Sequence, residues 1–325
     1  MAIGNVRALC DAMDELALET WQRMEPAFGQ PGISYGETSA TDNILSALRA
    51  KVPGLLAYQS TGSRESETGA DWEWWIGEDA VGWLCLRIQA KRAYGRSREY
   101  EQLRHAPPGQ HGGAAARQYD TLVRGCDPGL GYYPFHVFYN GWPEGTFHRG
   151  THWAVPAQWN ACPNFASVFE CGHATPRHYG CAIAPTRYVK QLCDSDERGK
   201  YSIVKQLELA VPWSYAFGFP AQRHGSERRW DPRIERGNWL DRIHASLQLL
   251  DTIGASQTRD AAQHLHEVGI DRAARTFSLP IYVERMRASA PGQFVPRGDD
   301  EQELPAAPRT VIVERAESGR MRRSG

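Results

Sequence analysis

Apolar and polar positions alternate most sharply in 83-WLCLRIQAKR-92. There Leu84, Leu86, Ile88 and Ala90 fall on one side of an extended chain, and Arg87, Gln89 and Lys91 on the other. This predicts a strand with one face for a core and one for chemistry. Just upstream, 70-ADWEWWIG-77 reads as a tryptophan-rich strand and 77-GEDAVG-82 as the turn between the two. If the apolar faces of this hairpin coincide, Trp72, Trp74 and Ile76 share a side with Leu84, Leu86 and Ile88. Asp71 and Glu73 then lie on the side of Gln89 and Lys91. A one-residue bulge would separate the two sets, so core packing and site assembly ask for the same register.

Helical spacing of Val6, Leu9, Met13, Leu16, Leu18 and Trp21 predicts a first helix over residues 4 to 24. A second is expected to begin near Ser39 or Thr41 as capping residue, to run through 42-DNILSALRAK-51 and to stop before Pro53 and Gly54. Beyond the hairpin, 115-AARQYDTLVRG-125 reads as a helix and 132-YYPFHVFYNG-141 as a buried strand. The alternation of helices and strands predicts an α/β fold in which a mixed sheet is covered on both faces. Residues 141–164, rich in Pro, Gly, Trp and His, have no period and read as an irregular insertion. A strand is expected at 166-ASVFECG-172, and helices at 185-PTRYVKQL-192, 234-IERGNWLDRIHASLQLLDTI-253, 259-RDAAQHLHEV-268 and 280-PIYVERM-286. The expected division is an N-terminal helix over 1–30, an α/β core over 31–195, a mainly helical region over 196–288 and a mobile tail over 289–325. That tail carries a short strand, 310-TVIVE-314.

Composition narrows the function classes. The 325 residues are 41% hydrophobic and 23% charged, with no apolar run long enough to span a bilayer, so no membrane partner is expected. The N-terminal segment carries acidic residues inside its helical pattern and lacks a signal-type apolar core, which points to the cytoplasm. Seven scattered cysteines form no disulfide framework and should be buried thiols. A net charge of −1 gives no global pull on nucleic acid, so local charge must supply it. The segment 87-RIQAKRAYGRSREYEQLRH-105 does, with Arg87, Lys91, Arg92, Arg96, Arg98 and Arg104.

A carboxylate, an amide oxygen and an ammonium on one strand face suit metal-dependent hydrolysis of a phosphodiester. Mg²⁺ or Mn²⁺ takes oxygen ligands, here from Asp71 and Gln89. Gln89 stands where a Glu would leave one more negative charge, so a further carboxylate is expected from Glu37, Asp42, Glu67 or Glu73. Glu37 is preferred, because a helix packed beside the hairpin would bring its start near the sheet. Asp42 is read as a helix first-turn residue. Lys91 would stabilise the charge of the pentacovalent state. Asp71 followed by 89-QAKR-92 resembles the PD-(D/E)XK restriction-endonuclease-like nucleases, especially their Mrr-like branch with Gln-x-Lys. The wider string, with 118-QYDTLVR-124 and 134-PFHVFYN-140, is similar to a bacterial family of uncharacterised proteins placed near them.

That resemblance implies a restriction-endonuclease-like sheet over roughly residues 35 to 190. It gives catalytic roles to Asp71, Gln89 and Lys91 and an accessory carboxylate role to Glu37 or Glu67. Arg92 and the pair Gln118 and Tyr119 would stand on the substrate side. It departs from the family pattern at Ala70-Asp71 and at Gln89. DNA is the expected partner, a homodimer is compatible, and a role in defence against foreign DNA follows from analogy of fold alone. The alternatives are a noncatalytic nucleic-acid-binding module on the same sheet and a scaffold protein.

A structural zinc at Cys171, His173, His178 and Cys181 is disfavoured, because their spacing matches no common finger. Most tryptophans read as packing residues, with Trp142 and Trp153 the better candidates for stacking on bases.

Overall fold

The computed structural model describes residues 6–28, 30, 35–60, 62–104, 117–143, 146, 179–217, 239–257, 274–289 and 304–314. In chain order these form α1 (Val6–Ala27), α2 (Glu37–Lys51), β1 (Leu56–Gln59), α3 (Glu65–Thr68), β2 (Trp72–Glu78), β3 (Gly82–Arg92), α4 (Gln118–Arg124) and β4 (Tyr132–Tyr139). There follow β5 (Cys181–Pro185), α5 (Thr186–Asp194), α6 (Ile203–Leu207), β6 (Val211–Pro212), a 3₁₀ turn at Trp213–Phe217, α7 (Trp239–Gln257), α8 (Ile281–Ala288) and β7 (Arg309–Glu314). The expected strand 166–172, the helix 259–268, most of the 141–164 insertion, Trp153, Cys171, His173 and His178 lie outside the described residues.

The seven strands form one mixed sheet in the order β1-β7-β2-β3-β4-β5-β6. Only β7 with β2 and β3 with β4 run parallel. Helices flank the sheet, so the chain is an α/β protein of the layered kind that alternating patterns favour. Among the described residues no helix is long and apolar enough to cross a membrane.

The hairpin register is the one that packing demands. Trp72 faces Ile88, Glu73 faces Arg87, Trp74 faces Leu86 and Ile76 faces Leu84, without a bulge. Gly82 closes the turn at φ 91, a conformation that favours glycine. Trp72, Trp74, Leu84, Leu86 and Ile88 belong to one cluster that runs from Leu9 in α1 to Val313 in β7 and takes in α2 and α7. On the other face the apolar packing falls into two main parts. One, around Trp75, Trp83 and Ile312, lies under α8. The other, around Phe138 and Ala182, lies under α5 and α6. Glu73, Gln89, Lys91, His136 and Thr310, all buried, occupy the stripe between them.

Three local expectations change. The second helix starts two residues earlier than Ser39, at Glu37, with Gly36 as its N-cap and no side-chain cap. Thr41 lies inside it and returns its hydroxyl to the Glu37 carbonyl at 2.9 Å. The C-terminal strand is not an appendage of a tail but an interior strand, paired to β1 on one side and β2 on the other. Trp142 is 6% exposed and meets Trp21 of α1 edge-on at 4.5 Å between ring centroids, so it packs the helix rather than offering a face to a base.

Candidate functional site

The site lies where β2 begins and β3 ends. Asp71 stands one residue before β2, and its backbone N–H donates to the Ile88 carbonyl at 2.8 Å, which extends the ladder and sets the carboxylate beside Gln89. Its Oδ2 accepts the Ala90 N–H at 2.6 Å. Burial raises the Asp71 carboxyl above its ordinary range, while Lys91, the Ala90 bond and Arg309 pull it back. Lys91 is 3% exposed, and its Nζ donates to Oε1 of Gln118 at 3.4 Å. A nearly dry ammonium exerts a stronger field than one in water.

Gln89 is fully buried. Its Nε2 donates to the Gly69 carbonyl at 3.2 Å, and its Oε1 has no hydrogen-bond partner. A bare buried acceptor costs about 1–3 kcal/mol, which a cation or water at this position would relieve. Gly69, the C-cap of α3 at φ 70, lies so close to α4 that a Cβ there would stand 2.6 Å from the Gln118 carbonyl oxygen. One glycine thus sets both the Gln89 amide and the helix that carries Gln118.

Glu37 reaches the site from the start of α2, which packs beside the hairpin. α2 packs Ile44, Leu45 and Leu48 on the Trp72 and Leu86 face, opposite the polar stripe. Its first residue comes round the end of β3, where Oε1 accepts the Arg92 N–H at 2.9 Å. Burial raises the Glu37 carboxyl and Lys91 lowers it, so the two share one electrostatic neighbourhood.

The other carboxylate candidates part company. Glu67 is exposed on α3. Glu65, on the same short helix, is the one whose carboxyl is raised by burial and by Asp71 and lowered by Arg309 and Lys91. Asp42 pairs with Arg309. Glu73 does share the stripe, but it is saturated: Oε1 accepts the Tyr282 hydroxyl at 2.6 Å and the Thr310 hydroxyl at 3.3 Å, and Oε2 lies 4.0 Å from Arg87.

Two expected substrate-side residues separate as well. Gln118 meets Lys91. Tyr119 is 1% exposed within the α5 and α6 cluster, with its hydroxyl donating to Asp194 at 2.8 Å, so it braces helices instead. Arg92 donates to the Tyr35 carbonyl at 3.3 Å and lies over the Tyr94 ring.

His136 and Glu65 escaped the sequence reading. His136 pairs with Gln89 in the β3–β4 register, on the same face, and its Nδ1 bonds the Thr186 hydroxyl at 3.0 Å. Burial and Lys91 hold the imidazole well below its ordinary pKa, so it is neutral. The signal was present in 134-PFHVFYN-140, where Phe135, Val137 and Tyr139 alternate with His136.

As a metal site the donor set is one of oxygens: Asp71, Gln89 and Glu37. The unpartnered Gln89 oxygen fits a hard divalent cation. Among the described residues no three His, Cys, Asp or Glu side chains converge on a common metal position. Cys181 gives no support to a zinc site. It is fully buried in β5, its thiol donates to Thr20 at 3.4 Å, and burial pushes it up to about 12. The other described cysteines are in no disulfide, Cys10, Cys85 and Cys193 buried and Cys126 partly so.

No curated protein matches the chain. The sequence pattern of a family of unknown function, DUF6615, matches residues 9–319, and the chain belongs to that family.

Proposed function

We propose that the protein hydrolyses phosphodiester bonds of nucleic acid, DNA first, with Mg²⁺ or Mn²⁺, on a sheet of restriction-endonuclease-like kind. The observation that carries this reading is the meeting of Asp71, Lys91, Gln118 and an unpartnered Gln89 oxygen at one end of the central hairpin. Asp71, Gln89 and Glu37 would hold the ion. When bound, it would polarise a phosphoryl oxygen and make water a better nucleophile at neutral pH.

The chain's own groups do the rest. Lys91, fixed by Gln118 in a nearly dry position, stabilises the negative charge that gathers on the phosphoryl oxygens during attack. Asp71, fixed by the Ala90 N–H, keeps one oxygen directed by the strand, which leaves the other to a ligand. Glu37, within the field of Lys91, supplies the second carboxylate that the neutral Gln89 amide leaves wanting. A role in defence against foreign DNA is proposed from analogy alone.

A second reading, a noncatalytic nucleic-acid-binding module, is favoured by a specific observation. The Gln89 amide is tied to Gly69 as a structural link, and the described residues hold no cluster of three metal-binding carboxylates, imidazoles or thiols.

The two separate on a panel of linear, circular and single-stranded DNA and of RNA, with Mg²⁺, Mn²⁺ or EDTA, using the wild type and Lys91→Ala. Cleavage is expected with either metal and not with EDTA, and slower by about 10²–10³ in the variant. Salt-sensitive binding without cleavage would favour the module, and neither binding nor cleavage by a folded protein would sink both.

A further inference from the structure

Just beyond Lys91 the chain changes character. β3 ends at Arg92, whose guanidinium lies 4.2 Å from the centroid of the Tyr94 ring. The next residues close a tight turn, with Tyr94 N–H donating to the Glu99 carbonyl at 3.0 Å and Arg98 N–H to the Tyr94 carbonyl at 2.8 Å. Arg96, Ser97 and Arg98 stand exposed at its tip. Arg98 has φ 55, the one positive value at a non-glycine among the described residues. Glycine or asparagine would take that conformation at less cost. Arg96 and Arg98 thus place two exposed cations on a turn that begins at Tyr94, three residues after Lys91.

The turn lies against a second group of cations. Tyr100 N–H donates to the Tyr201 carbonyl at 2.9 Å, and Glu99 bridges to Ser202. Around the ring of Tyr201 stand Arg104 at 4.9 Å and Lys200 at 5.6 Å from the centroid, while Arg117 donates to its hydroxyl at 3.2 Å. Arg104 has Glu99 as an ion-pair partner. Arg117 is held by the Tyr119 and Tyr201 hydroxyls, with Asp194 within its field, and Lys200 by the Ser195 carbonyl, so the cations outnumber the carboxylates beside them. Mutual repulsion of such a group is relieved by an anion. Arg92 follows Lys91 in sequence and Arg117 precedes Gln118, so the basic surface begins at the site.

We propose that this surface, from Arg92 through Arg98 to Arg104, Arg117 and Lys200, is the track along which a nucleic-acid phosphate backbone leads to Lys91. It rests on the nucleic-acid reading above and adds where the strand runs and how it is held. The Tyr94 and Tyr201 rings already carry cations on their faces, so they orient charge rather than stack bases. Recognition along the track is therefore of phosphates, independent of sequence.

The test is binding of a labelled DNA duplex in EDTA, which prevents metal-dependent turnover, over a range of salt concentrations. The wild type is compared with the triple variant Arg96→Gln, Arg98→Gly, Lys200→Gln. Arg98→Gly suits the positive φ at this position, and thermal melting beside the wild type confirms that the variant is folded. The slope of log K against log salt is expected to fall by about 2 to 3, near 0.9 for each lost phosphate contact, equally for unrelated sequences.

An unchanged slope and affinity in a folded variant would overturn the track while leaving the cleavage reading intact. A loss confined to one sequence would overturn it as a backbone surface. Failure of the wild type to bind or cut any nucleic acid would overturn both, as would binding of anionic lipid vesicles in place of DNA.

Discussion

At Gly69 three demands fall on one residue: a φ of 70 that caps α3, a carbonyl that receives the Gln89 amide, and a backbone approach to α4 too close for a Cβ. Gly69→Ala would strain the backbone and drive a methyl to 2.6 Å from the Gln118 carbonyl, so α4 must move. The expected loss is about 1–3 kcal/mol of stability, with Gln118 displaced from Lys91. Thermal melting and the amide signals of α4 would show it, and an unshifted melt would contradict it.

Asp71 offers a second test at this scale. Its carboxyl is raised in the folded protein, so ionised Asp71 costs stability once pH exceeds the folded pKa, and costs nothing when both states are protonated. Asp71→Asn, which keeps an acceptor for the Ala90 N–H, is therefore expected to be more stable than the wild type at neutral pH without metal. The difference should shrink as pH falls through the ordinary carboxylate range near about 4. A gain that persists at acid pH would mean that the side chain acts through packing and not through charge.

Among the elements, β7 matters most. It separates β1 from β2, and Val311, Ile312 and Val313 are all fully buried, the two valines in one packing layer and Ile312 in the other. Burial of three such side chains contributes about 5–9 kcal/mol, the order of a whole domain's stability. Thr310 also donates to Glu73, and Arg309 pairs with Asp42, so β7 ties the polar stripe to α2. A chain ending before residue 304 is expected to lose its cooperative thermal transition and to expose the β2 edge. Circular dichroism and limited proteolysis would check this, and a folded truncation would show that β7 is dispensable. Periodicity pointed to a short strand here, but its partners are separated from it by more than two hundred residues. Local pattern carries no information about such pairing.

For the molecule as a whole, one apolar cluster gathers residues from Leu9 to Val313, while Glu73, Gln89, Lys91 and His136 lie on the opposite face. That division explains what could be read from the chain alone. Alternation of large apolar and polar side chains is a local property with a period of two, so the hairpin, its register and the shared face of Asp71, Gln89 and Lys91 followed from it. The helices at α1, α4 and α5 were legible too, and α8 more faintly, because a 3.6-residue period needs only a short window. Tertiary packing decided the rest. It carried Glu37 round the end of β3, turned Tyr119 inward, chose Glu65 over Glu67 and put His136 beside Gln89, since each depends on which distant elements touch. Which residues share a face is written in neighbouring positions, whereas which faces meet is settled only when the whole sheet closes over its core.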